Sequence, residues 1–157
     1  MSLELWMVGK TKVSFVAEGL AFYLNRIKAY QKMNISYIPD QKTSSKTSIQ
    51  LFQEKESEAI FKQLKDNDLL VVFDEKGTQL NSMEFAKFTD HLLVHFANKR
   101  CILLIGGAYG FSDKLKARAD HKIALSKMTF PHQLVRLIIV EQLYRAFTIL
   151  KNESYHH

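Results

Sequence analysis

The stretch HKIALSKMTFPHQLVRLIIVEQLYRAFTIL, residues 121–150, decides how this chain is built. It opens with a short apolar strand, HKIALS (121–126), crosses a polar loop, and enters a long helix through Pro131 and His132. Proline is favourable in a first helical turn, where its missing N–H costs nothing. Thr129 is placed to cap that helix. A well-made helix start accounts for Pro131 and Thr129, but not for an irregular loop before them. The helix is apolar on more than one face: Leu134, Leu137, Ile138, Ile139, Val140, Leu143, Tyr144, Phe147 and Leu150 exceed the single stripe of a surface helix. Such a belt needs cover on a second side. A second copy of the chain is the simplest cover in a small domain, so a homodimer through this helix is expected. Burial within one subunit is the alternative.

Working outward, apolar runs alternate with segments of helical spacing. LELWMVG (3–9), NISYIP (34–39), DLLVVF (68–73) and CILLIGG (101–107) read as strands. Helical patterns lie between them at 13–30, 49–65 and 81–98, with a short one at 112–120, and Ser82 is the expected cap of the third. DQKTSSKTS (40–48) reads as a mobile polar loop and DEKGT (74–78) as a turn. Strands of four to seven residues alternating with helices predict an α/β fold, a mostly parallel sheet flanked by helices, in one domain over residues 1–157. Ligands of such sheets bind beyond the carboxyl ends of the strands. That singles out the loops VGKTK, FDEKGTQL, IGGAYGFS and LSKMTFPHQ.

Composition narrows the function. The 157 residues are 46% hydrophobic and 24% charged, a globular profile. No run of 18 apolar residues marks a membrane span, and the first residues lack a signal-peptide pattern, so a cytoplasmic protein is expected. The single Cys101 reads as a buried strand thiol. Net charge is +6; residues 111–157 hold eight Lys or Arg against four Asp or Glu, which places +4 of it in the last 47 residues. A basic excess at one end suits a polyanion such as RNA.

Motifs exclude more than they assign. IGGAYGFS has glycines at 106, 107 and 110 but follows a late strand, unlike a dinucleotide fingerprint, and the phosphate-cradling GxxxxGK[ST] pattern is missing. No GxSxG or HExxH appears, and His91 and His95 lack a third ligand, so no metal is expected. Arg145, set among apolar neighbours, calls for an anion or a carboxylate, and Glu141 four residues earlier is the ordinary partner. The tail SYHH brings Tyr155 and His156 beside this basic helix.

LLIGGAYGFS, LSKMTFPHQLVRLIIVEQLYRAFTI and the final YHH, together with VGK, YLNRIKAY and FDEKGTQLNSMEFA, closely resemble the RlmH family of large-subunit ribosomal RNA methyltransferases, of the knotted SPOUT class. The resemblance runs the length of the chain. It implies a deep C-terminal trefoil knot, an exception to the general absence of knots. It implies an S-adenosylmethionine site contacted by Phe73, Gly106 and the loop Leu125, Ser126, Lys127, Met128, Thr129 and Phe130. The irregular loop then has a purpose, since it offers backbone N–H and C=O groups to the adenine edge. The implied reaction is methylation of N3 of a pseudouridine in the inter-subunit bridge hairpin of large-subunit rRNA, on the assembled ribosome. N3–H is a weak acid, and an arginine can stabilise the anion while a tyrosine or histidine takes the proton. Arg145, Tyr155 and His156 match those roles, and Lys114, Lys127 and Arg136 are expected to steer RNA phosphates. The rival readings are another RNA substrate such as tRNA, and a non-catalytic RNA-binding protein.

Overall fold

The computed structural model describes residues 2–42 and 46–156. Residues 43–45, within the polar loop expected over 40–48, lie outside the described residues, and its expected mobility with them. Ten elements alternate: β1 (Ser2–Val8), α1 (Ser14–Ile27), β2 (Met33–Ile38), α2 (Ile49–Phe61), β3 (Leu69–Gln79), α3 (Ser82–His95), β4 (Arg100–Ile105), α4 (Asp113–Arg118), β5 (His121–Ala124) and α5 (His132–Leu150). The five strands form one sheet in the order β2-β1-β4-β3-β5, and every pairing is parallel.

A strand covered on both faces must be apolar at successive positions. Along β1, Leu3, Leu5 and Met7 enter one core with residues of α1, α3 and α5; Trp6 and Val8 enter the other, with Ile60 of α2 and Leu115 of α4. The same alternation splits β3, with Leu69, Val71 and Phe73 on the first side and Leu70 and Val72 on the second. Cys101 is buried in the first core, as expected of a strand thiol, and that burial pushes the thiol up to about 12.

Three local expectations are corrected. DEKGT does not end its strand: β3 runs on to Gln79 and pairs with β5 twice, Phe73 with Ile123 and, past a register shift, Thr78 with Ile123. The excursion is pinned by Asp74, whose carboxylate accepts from the Lys76 N–H at 2.9 Å and meets Lys116 Nζ at 3.2 Å. Asn81, not Ser82, caps α3, in a reciprocal box with Glu84. Thr129 does not cap α5; Pro131 occupies that position with no side-chain cap. α5 itself packs between α1 and α3, so much of its broad apolar surface is covered within one subunit.

Candidate active site

The loops after β3 and β5 converge beside the start of α5. A cavity of about 140 Å³ is lined by Phe73, Asp74, Leu125, Ser126, Met128, Thr129 and Phe130, among others. A neighbouring cavity of about 360 Å³ shares Phe73, Leu125 and Phe130 and adds Asn81, Ser82, Phe85, Ile138 and Gln142. Six of the eight residues expected at the cofactor thus line one cavity. Lys127 is exposed on the same loop and lines a more open hollow with Leu125 and Ser126. Gly106 lines none of these; a Cβ there would stand 2.9 Å from the Phe111 ring, so it permits close packing of the β4–α4 loop. Within the loop, Ser126 Oγ accepts from the Met128 N–H at 3.0 Å. That contact shapes the irregular turn.

The other half of the expected site lies farther along α5. Arg145 donates from Nε and Nη2 to Glu141 Oε1 at 3.0 and 2.6 Å, its guanidinium stacks 4.8 Å from the Tyr155 ring, and Nη1 approaches His156 Nδ1 at 3.5 Å. The Glu141 hydrogen bond holds Arg145 charged, raising its pKa. Tyr155 donates to Glu141 at 3.2 Å and lies 3.3 Å from the Tyr23 hydroxyl. Burial, the contact with Tyr23 and the charge of Glu141 push this phenol well above its ordinary range. The expected trio is therefore assembled, with Glu141 and Tyr23 as members that sequence reasoning left out of the site.

The trio does not line the two cavities beside Phe73 in its own chain. Val135, on the cavity wall, and Arg145 are ten residues apart, about 15 Å along the helix.

The expected RNA contacts divide. Lys114 and Lys127 are exposed, Lys114 with its Nζ 5.2 Å over the Phe61 ring. Arg136 is 0% exposed and presents nothing to a phosphate. Its Nη1 donates to Gly9 O at 2.9 Å and Thr11 Oγ1 at 3.0 Å, and its Nη2 to Val8 O. Among the described residues no cluster of three or more His, Cys, Asp or Glu side chains stands ready for a metal.

Residues 1–156 match the family model described as "Predicted SPOUT methyltransferase". The chain belongs to the SPOUT methyltransferase family. As a SPOUT protein it carries the trefoil knot. SPOUT methyltransferases generally use S-adenosylmethionine. Curated relatives are similar over their whole length. "Ribosomal RNA large subunit methyltransferase H" of Cytophaga hutchinsonii is 46% identical over 157 residues, covering 100% of both chains. The proteins of that name from Parabacteroides distasonis and Clostridium acetobutylicum are each 43% identical, over at least 99% of both chains.

Proposed function

We propose that this chain is a homodimeric S-adenosylmethionine-dependent methyltransferase acting on large-subunit ribosomal RNA in the cytoplasm, at N3 of a pseudouridine in the inter-subunit bridge hairpin of the assembled ribosome. The observation that carries the reading is the cavity walled by Phe73 and the 125–130 loop, in a SPOUT protein whose full-length relatives bear a ribosomal RNA methyltransferase name.

The cavity suits the cofactor chemically. Phe73, Leu125 and Phe130 offer apolar walls for an adenine, the loop 125–130 offers backbone groups for its hydrogen bonds, and the Asp74 and Glu75 carboxylates complete the lining, Asp74 paired with Lys116. When bound, S-adenosylmethionine supplies a methyl group already activated on sulfur, so no metal or protein nucleophile is required. The protein's work is to hold the acceptor and remove its proton. Arg145 keeps its charge and carries Nη1 toward the tail, where it stabilises the anion formed at the base. Tyr155 is held as the protonated phenol and acts as a donor. His156 is left as the base. Its Nδ1 lies 3.5 Å from Arg145 Nη1, so with Nδ1 unprotonated an N–H and the carbonyl beside it, laid alongside this pair, meet an acceptor and a donor.

The separation of trio and cavity supports a dimer. Leu134, Leu137, Ile138, Glu141 and Arg145 follow one another at helical spacing on the half-exposed face of α5. Beside it α1 shows Phe15 at 60% and Phe22 at 51% exposure, while Gly19 lets Leu137 approach so closely that a Cβ would stand 2.7 Å from it. Two copies joined across this face bring the Arg145 group of one protomer toward the cavity of its partner.

Transfer of label from S-adenosylmethionine to assembled ribosomes, isolated large subunits and tRNA, all from cells lacking the enzyme, tests the function. Label at a pseudouridine of assembled ribosomes is expected. Label on tRNA alone replaces the substrate, and no label with no cofactor bound removes the enzymatic reading.

A further inference from the structure

A second crevice opens at the carboxyl ends of β1, β2 and β4. It has a volume of about 210 Å³ and shares no lining residue with the two cavities beside Phe73. The topology makes it. β1 leads into α1 on one face of the sheet and β4 leads into α4 on the other, so the two loops part between neighbouring strands. Such partings are where open parallel sheets bind ligands.

Two buried polar groups in its wall lack partners. Glu56, on α2, is 2% exposed and its Oε2 has no hydrogen-bond partner; Arg136, fully buried, leaves Nε unused. Side chains this deep are ordinarily paired. Desolvation, with Asp40 adding to it, pushes the Glu56 carboxyl up to about 7. Near neutrality much of it is the uncharged acid, an O–H donor beside a carbonyl acceptor. A Cβ at Gly107 would stand 2.6 Å from Glu56 Oε1, so the glycine keeps that carboxyl open to the crevice. The charged and titratable groups around it are Asp40 after β2, Lys10 and Lys12 from the β1–α1 loop, and His132 and Arg136 from α5; Gly107 and Ala108 after β4 bring none. Burial and the nearby Arg136 lower the His132 pKa, favouring the neutral ring. Phe52 completes the wall, with its ring 5.1 Å from that of the exposed Tyr109.

We propose that this crevice is a nucleotide subsite for the RNA, taking a residue that flanks the methylated one, with a donor–acceptor edge of the base on Glu56 and its phosphate on Lys10 and Lys12. The inference rests on the RNA-substrate reading above. A base edge with an N–H beside an acceptor, such as N3–H beside O4 of uracil or N6–H beside N1 of adenine, is the reciprocal of a neutral carboxyl group, and an aromatic wall with a cationic rim is the usual composition of a single-strand subsite.

The test is calorimetric titration of the full-length protein with uridine 5′-monophosphate, ribose 5-phosphate and inorganic phosphate at pH 6 and pH 8, with S-adenosylmethionine affinity measured in parallel. The nucleotide is expected to bind at least ten-fold more tightly than ribose 5-phosphate at pH 6. Glu56→Gln keeps a donor and an acceptor at every pH and meets the same ionisation of the nucleotide phosphate, so between pH 6 and pH 8 wild type should lose affinity relative to Glu56→Gln, as the carboxyl loses its donor. Gly107→Val should block the site, and neither variant should alter cofactor affinity. Equal binding of the nucleotide and ribose 5-phosphate, full competition by phosphate alone, or the same pH response in Glu56→Gln and wild type would each overturn the subsite. Base-dependent binding by a protein that methylates no RNA would instead overturn the function proposed above and leave the crevice a nucleotide site.

Discussion

At the scale of single residues, two arginines on α5 have opposite assignments. Arg145 is half-buried, with one terminal nitrogen facing the tail histidine. Arg145→Ala should lower methyl transfer by about 10²-fold or more, the usual cost of a lost anion-stabilising donor, with cofactor affinity kept within a few-fold. Undiminished turnover would remove it from the mechanism. Tyr155→Phe should slow transfer without moving the rate–pH profile, because a phenol whose pKa lies far above neutrality stays protonated throughout the working range. A displaced profile would make Tyr155 the base. Arg136 closes the end of β1 by donating to the carbonyls of Val8 and of Gly9 just beyond it, so Arg136→Met should destabilise the fold by about 3 kcal/mol, read by denaturant unfolding. The sequence hid this role behind the residue's charge. Yet positions 136, 140, 143 and 147 form one buried stripe at helical spacing, so its burial was legible even though its carbonyl partners were not. Glu56 has the same history: Phe52, Glu56 and Ile60 share the buried side of α2, but the polar run around them reads as solvated surface.

At the scale of elements, every strand and helix was legible from apolar periodicity, and the departures occur where side chains compete for the backbone. Ser82 reads as a cap, but Asn81 takes the position because Glu84 completes a box with it, and Ser82 Oγ donates instead to Gln142 Oε1 at 2.7 Å on α5. The polar DEKG segment reads as a turn, because nothing in its composition shows that β5 will accept the chain again beyond it. Gly77 is required there. A Cβ would stand 2.6 Å from the backbone nitrogen of Ile123, a neighbour that cannot swing aside. Gly77→Ala should therefore cost about 1–3 kcal/mol and also weaken cofactor binding, since the same excursion carries Asp74 and Glu75 to the cavity. A variant with unchanged stability and unchanged cofactor affinity would contradict this account.

At the scale of the whole molecule, the broad apolar surface of α5 is covered in part within the chain, and the dimer proposed above accounts for the rest. α1 and α3 cover its flanks within the chain, while Leu134, Leu137 and Ile138 remain half-exposed beside Phe15 and Phe22. Sequence alone shows how much of a helix is apolar, but not which neighbour covers it. Phe22→Glu should leave the subunit folded, convert a dimer to a monomer by sedimentation, and abolish methyl transfer. A monomer with full activity would show that the trio reaches the cavity of its own chain.

The bonds from Arg136 to Val8 and Gly9 join positions 127 and 128 residues apart. During translation the first strand emerges early, yet its carboxyl end cannot be completed until the final helix has been made. A prematurely terminated product ending before residue 132 lacks the guanidinium that closes β1, and with it the wall of the 210 Å³ crevice and the start of α5. Contacts this distant along the chain also form slowly. The same arginine thus ties the first strand of the sheet to the last helix, so that a product lacking α5 leaves the carboxyl end of β1 without its closing donors.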